Sequence, residues 1–412
     1  MSAVAAEMTA PAPDADSTRP LRVVIATAFG VDPASPRGGV ESVSANLVRA
    51  LAREPDLDIH VVTMDPAVVT PTETTWRGAT VHRLPRTGAY MLTSTRGADR
   101  ARLISHIERL RPDVVHAHDV YGLTLAGLKV PRVMTIHGFI YKDTLVAAQR
   151  AARIRSWMWW KTETAAWARY PHLIAISPHV HEFVAAAARG VIHDIENPVD
   201  DRFFDVSHVP APLRIFSAAR LSRGKNPIAL LDACARLWAD GIDVELRLAG
   251  GTSDAGYARE LRTRIETLGA ARHVRLLGKL SASEVRRELG TASVFALASL
   301  QENAPAAVAE AMAAGLPVVT SRRCGMPYMV RDGETGFLVD PTDPAAIADR
   351  LRMLLRDPDT CERFGARAKA LAIERFHPAV VARRTRHVYL TAYGASLTEA
   401  RTLPGSRIPP VA

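Results

Sequence analysis

Residues 297–336 read LASLQENAPAAVAEAMAAGLPVVTSRRCGMPYMVRDGETG, and this stretch decides the fold. The apolar run 293–298 has the length and composition of a buried strand. Residues 317–320 have those of the next strand, and an alanine-rich helix fills the interval. Pro305 suits the first turn of that helix, where its missing N–H costs nothing, and Gly315 suits the position just past its end. The result is one βαβ unit, with Glu302 and Asn303 on the loop leaving the first strand and Glu310 on the helix. In an open parallel sheet the crevice beyond the carboxyl ends of the strands takes the ligand, so Glu302 is placed in it. The free amides near Ala306 and Ala307, at the positive end of the helix, make a seat for phosphate.

Working outward, the same alternation runs through residues 213–277, with strands at 213–218, 244–249 and 274–277 and helices at 227–238 and 255–268. The loop after the first of these strands carries Arg220-Leu221-Ser222-Arg223-Gly224-Lys225-Asn226. Two cations held five residues apart by a glycine-bearing turn can neutralise a diphosphate, and arginine can grip two oxygens at once. A surface charge cluster is the competing reading of this loop.

The N-terminal half repeats the plan, with strands at 21–27, 59–64, 81–84, 114–116, 132–136 and 173–176 and helical patterns between several of them. Such alternation predicts a parallel sheet covered by helices on both faces. A loop through Gly38-Gly39 precedes a helix over 40–52, where backbone amides can approach a charged group. No G-x-G-x-x-G follows the first strand, which argues against a dehydrogenase. His116, His118 and His137 stand at or just beyond strand ends, where a ligand crevice would lie. Asn197-Pro198-Val199-Asp200 and the proline-bearing stretch to Pro212 mark a linker. The predicted organisation is a disordered tail over 1–20, a first unit over 21–200, a linker over 201–212, a second unit over 213–375, and a closing segment over 376–412. In that segment a helix runs from Pro378 to about Tyr393, with a loose tail from Pro404.

The bulk composition is compatible with this plan. The 412 residues are comfortable for two domains, and 48% apolar content supplies ordinary cores. Three cysteines, Cys234, Cys324 and Cys361, have no metal-like spacing and point to a reducing compartment. The first twenty residues lack the basic start and apolar centre of a secretion signal, and no run approaches a membrane span. The net charge of +9 suits an anionic partner, but no nucleic-acid motif accompanies it, so nucleic acid is not expected. Residues 150–170, RAARIRSWMWWKTETAAWARY, combine four tryptophans with basic groups. Such a helix fits either a membrane interface or a buried core.

The motif E-N-A-P-A-A-V-A-E, its following A-M-A-A-G-L-P-V-V, and D-G-E-T-G-F-L-V at 332–339 together resemble the signature of retaining glycosyltransferases of family 4. The resemblance covers roughly residues 21–375 and is strongest in the second half. It implies the GT-B fold, an α/β arrangement of two doubly wound Rossmann-like domains facing across a cleft. It also implies that Glu302 lies beside the donor sugar and Glu310 holds the ribose hydroxyls of the nucleotide. The segment Arg220–Lys225 is similar to the family's G-R-L-x-x-x-K, with Ala219 in place of glycine. Thr135-Ile136-His137-Gly138 is similar to its active-site histidine segment, and Gly38 and Gly39 match its donor-phosphate loop. Where the familiar form has Gly-Phe-Gly after the first glutamate, this chain has Asn303, Ala304 and Pro305. The resemblance implies a metal-independent enzyme without a cofactor. It would move a sugar from a UDP- or GDP-linked donor to a glycan or lipid-linked acceptor in polysaccharide or glycoconjugate synthesis. The expected location is cytoplasmic, with attachment to an anionic membrane surface at the inner face. A sugar-nucleotide epimerase or hydrolase on the same architecture is the alternative.

Overall fold

The computed structural model describes residues 19–402, apart from 34, 35, 37, 88–96, 147–150, 210, 212 and 253. The expected tails before Arg19 and after Thr402 lie outside the described residues. The first half contains β1 (Leu21–Ala26), α1 (Gly39–Leu51), β2 (Leu57–Asp65), β3 (Thr72–Trp76), β4 (Ala79–Pro85), α2 (Gly97–Leu110) and β5 (Val114–His118). It continues with α3 (Val120–Leu125), β6 (Arg132–Ile136), α4 (Ile140–Val146), α5 (Ala152–Trp167), β7 (His172–Ala175), α6 (Pro178–Ala185) and β8 (Val191–Asp194). These strands form one eight-stranded sheet in the order β3-β4-β2-β1-β5-β6-β7-β8, parallel except for the antiparallel pair β3 and β4. The strands β3 and β8 are additions to the sequence reading. Both sit at sheet edges with their side chains largely exposed, so neither carries the apolar run that marks a central strand.

The second half contains β9 (Arg214–Ala218), α7 (Pro227–Ala239), β10 (Glu245–Ala249), α8 (Ala255–Thr267), β11 (Val274–Gly278), α9 (Ala282–Thr291) and β12 (Val294–Leu297). It ends with α10 (Ala306–Ala313), β13 (Val318–Ser321), β14 (Gly336–Val339), α11 (Pro344–Arg356), α12 (Pro358–Phe376) and α13 (Pro378–Thr402). Its sheet is entirely parallel, in the order β11-β10-β9-β12-β13-β14. Central strands covered on both faces must be apolar throughout, and β12 (Val-Phe-Ala-Leu) is fully buried. Phe216 and Phe295 meet edge to face beneath the sheet at 6.1 Å.

Two stretches of chain pass between the halves and lie side by side, joined where Val199 N donates to Phe376 O at 2.9 Å. Beside this crossing, Arg375 donates to Glu196 at 2.8 Å. Helix α13 packs on the first sheet's core through Val381, Ala382, Val388, Tyr389 and Ala392. Arg386 on the same helix binds Asp56 at 2.9 Å.

Candidate active site

Both sheets reverse their winding direction once, between β9 and β12 in the second and between β1 and β5 in the first. Loops leaving neighbouring strands at such a point diverge and open a crevice. In the second unit they are the loop after β9, with Arg220 and Lys225, and the loop after β12, with Glu302 and Asn303. Leu300 N donates to Gly224 O at 2.8 Å and stitches the two together. Lys225 Nζ pairs with Glu302 Oε1, and Ser299 Oγ lies 3.4 Å from the same oxygen. Arg220 is exposed at this point.

The loop after β13 fixes the Glu302 backbone from beneath. Gly325 N donates to Glu302 O at 2.8 Å. A side chain on Gly325 would place its Cβ 1.7 Å from Asn303 O, so only glycine allows this approach.

The first unit contributes the loops after β5 and β6. Asp119 stands at φ 44°, a strained backbone for a non-glycine residue, and its carboxylate accepts from His137 N at 2.8 Å. Across the cleft, Asn303 Nδ2 donates to His137 O at 3.0 Å. Because a carbonyl only accepts, this bond fixes the amide orientation and turns Oδ1 the other way, where it is buried without a partner.

Behind His137 runs a file of imidazoles. His118 Nδ1 lies 2.9 Å from His137 Nε2. The rings of His118 and His116 stand 4.5 Å apart. His116 is bonded at 2.7 Å to both Thr135 Oγ1 and the Tyr389 hydroxyl of α13. Burial pushes His116 down to about 3. Burial also holds His118 well below the ordinary value, and nearby His116 and His137 add to the effect. His137 is lowered by burial, against the opposing pull of Asp119 and a hydrogen bond with Asn197. All three are neutral near pH 7, which makes His137 a hydrogen-bonding group rather than a carrier of charge.

The remaining sequence-predicted residues fall as follows. Glu310 is half-buried on α10, and its carboxyl is pushed up to about 7 by burial and by the neighbouring Asp200 charge. Ala304 and Ala306 line a narrow cavity of about 20 Å³ with Ser177 and Asn197 of the first unit. No side chain caps that helix at Pro305. Gly38 is the residue before α1, with open space where side chains on Gly38 and Gly39 would be.

Sequence reasoning missed Asp119, Asp143 and Glu163. Asp143 lies in the first turn of α4. Burial raises its pKa, with Asp119 adding to the rise and the charges of Lys225 and Arg220 opposing it. Its spacing from His137 was the available signal, since it puts a carboxylate on the first helix after the histidine loop. Glu163 lay hidden among the tryptophans. In α5 itself the two sequence readings divide. Trp167 is buried, whereas Ile154, Trp157, Met158 and Trp160 are exposed.

The assembled geometry agrees with the comparisons to known proteins. The description Glycosyltransferase Family 4 fits residues 37–203, and Glycosyl transferases group 1 fits residues 200–371. The MMP α-(1→4)-mannosyltransferase of Mycolicibacterium hassiacum is 31% identical over 291 residues, covering 67% of this chain and 70% of that protein. The putative colanic acid biosynthesis glycosyltransferase WcaL of Salmonella typhimurium and the D-inositol 3-phosphate glycosyltransferase of Corynebacterium diphtheriae, 34% and 33% identical over 42% and 50% of this chain, are matched over 44% and 50% of their own length. Among solved structures, sucrose-phosphate synthase from Thermosynechococcus elongatus superposes with TM-score 0.76 at 18% identity, over 91% of this chain and 100% of the other. HepE of Anabaena in complex with UDP-glucose superposes with TM-score 0.66 at 17% identity, over 92% and 100%. The chain therefore belongs to the family 4 glycosyltransferases and has their GT-B fold.

Proposed function

We propose that the protein is a retaining, metal-independent glycosyltransferase that uses a UDP- or GDP-linked sugar and acts on a glycan or lipid-linked hydroxyl in polysaccharide or glycoconjugate synthesis. One observation carries this reading. Arg220, Lys225 and Glu302 converge at the reversal point of the second sheet, opposite His137 of the first. Two cations beside one carboxylate suit a diphosphate leaving group next to a sugar. A UDP-glucose complex of a protein with the same fold supports a nucleotide-sugar donor.

In this reading Glu310 binds the ribose hydroxyls, and the amides at the start of α10, with Gly38 and Gly39, border the phosphates. Binding of the diphosphate draws Lys225 away from Glu302, leaving that carboxylate to accept from the sugar. Asn303 Oδ1 is oriented to accept a further sugar hydroxyl. Transfer with retention proceeds on one face. The glycosidic bond to the phosphate oxygen breaks, the acceptor oxygen bonds to the anomeric carbon, and its proton passes to the departing phosphate. Arg220 and Lys225 then matter most as charge gathers on the diphosphate. The exposed Trp157 and Trp160, with Arg153 and Lys161 beside them, suit an anionic membrane interface at the cytoplasmic face.

Incubation with a panel of nucleotide sugars and glycan or lipid acceptors, followed by NMR of the product, tests the reading. A product with the donor's anomeric configuration is expected. An inverted product refutes retention, and release of an isomerised nucleotide sugar refutes transfer.

A further inference from the structure

Helix α4 begins three residues after His137, and its first turn is held from outside. Glu163, on α5, turns its carboxylate inward until only 3% of the residue remains exposed. One oxygen accepts from Ile140 N at 3.0 Å and the other from Tyr141 N at 2.9 Å. The same helix sends Ser156 Oγ to Tyr141 O at 2.7 Å. Trp167, at its far end, meets the buried Phe139 ring edge to face at 6.0 Å. With Asp119 binding His137 N, the segment 137–141 is gripped by one carboxylate at each end.

A buried carboxylate is an expensive way to satisfy two amides, because a neutral side chain would avoid the desolvation. Burial lifts Glu163 to about 7, against the pull of the two amides, and Asp119 and Asp143 add to the rise. Among the described residues Tyr141 also faces it, and its phenol is raised by burial and by Glu163 itself. Ionised, Glu163 offers an acceptor to each amide. Protonated, it turns one oxygen from an acceptor into a donor, and one of the two amide bonds weakens.

We propose that Glu163 is a positioning residue for glycosyl transfer: its ionised carboxylate holds the 137–143 segment so that His137 and Asp143 face Lys225 and Glu302 in register. The proposal deepens the glycosyltransferase reading and rests on it.

Glu163→Gln keeps the shape and removes the charge. In the wild type, kcat is expected to fall as pH drops from 8 to 6. In Glu163→Gln it should be about tenfold lower at pH 8 and flat over that range, with nucleotide Kd unchanged. Hydrogen exchange of the 138–143 backbone should be faster in the variant at pH 8 and similar to the wild type at pH 6. The melting temperature of Glu163→Gln should be unchanged or higher at pH 8, because the buried charge is gone. A variant that loses melting temperature and activity together at every pH shows a structural role only and overturns the proposal. So does unchanged exchange in a folded variant. If the wild type transfers no sugar from any donor, the reading of the reaction fails, and the exchange comparison still decides whether Glu163 holds this segment.

Discussion

Replacing Glu310 with glutamine should make the protein more stable and a poorer nucleotide binder. The carboxyl is raised from the ordinary 4.5 to about 7 by burial and by Asp200. Asp200 keeps its charge because hydrogen bonds from Arg202 and Arg49 overcome the burial that works against it. The folded protein therefore holds a proton that the unfolded chain releases, and stability falls as pH rises from 4.5 through 7. At 1.36 kcal/mol per pH unit the full gap is worth roughly 3 kcal/mol, and the partial exposure of Glu310 reduces it. Glu310→Gln at pH 8.5 should gain about 1–3 kcal/mol in denaturant unfolding, and more than half of that gain should be lost by pH 5.5. The ribose role predicts the opposite effect on binding. A carboxylate accepting two hydroxyls contributes about 1–3 kcal/mol, so nucleotide Kd should rise on the order of 5- to 150-fold at pH 8. Wild-type affinity should strengthen with rising pH through 7, and that of the variant should not. Calorimetric titration of UDP and GDP against both proteins over this range measures the effect. Unchanged affinity in folded Glu310→Gln rules out the ribose contact, and a stability difference independent of pH refutes the burial argument.

Lys225→Ala or Arg220→Ala should lower kcat more than it raises donor KM, by roughly 2–4 kcal/mol of barrier, and steady-state kinetics with the matched donor separates the two constants. Gly325→Ala forces a methyl group against Asn303 O. It should destabilise by more than about 3 kcal/mol or displace the Glu302 loop, read from thermal unfolding together with nucleotide binding. The double change Trp157→Ser, Trp160→Ser should abolish flotation with anionic liposomes at low salt and leave thermal stability within about 1 kcal/mol. Wild-type protein remaining in the soluble fraction would remove the membrane proposal.

How far the sequence can be read depends on where a residue's partners come from. The segment around Glu302 was legible because its βαβ rhythm, its proline and its glycine are all local signals. The paired loops of Arg220 and Glu302 were legible as loops, but their meeting depends on strand order, which periodicity does not encode. The edge strands β3 and β8 have no fully buried residue and so show no pattern. The partners of His137 are His118 and Asp119 after β5, Asn197 at the crossing between the halves and Asn303 of the second unit, and no spacing along the chain announces them. In the tryptophan helix, composition alone could not separate surface from core, because Trp157 and Trp167 belong to one helix and meet different surroundings. Glu163 carries no signal in the sequence, because its two partners are backbone amides of another helix.

Helix α13 has a consequence for how the molecule is made. It completes the core beside β1 with Val381, Tyr389 and Ala392, and its Tyr389 hydroxyl reaches His116. During synthesis the first sheet is finished at Asp194, but this covering helix begins only at Pro378. At roughly 5–20 residues per second the ribosome needs on the order of ten seconds or more to supply it. Through that interval the nascent first half carries an uncovered apolar face and a His116 ring that has its Thr135 bond but not its Tyr389 bond, while the second half completes its own sheet. The N-terminal half is thus translated first and finished last, and chains terminated before Pro378 should be retained by chaperones or degraded.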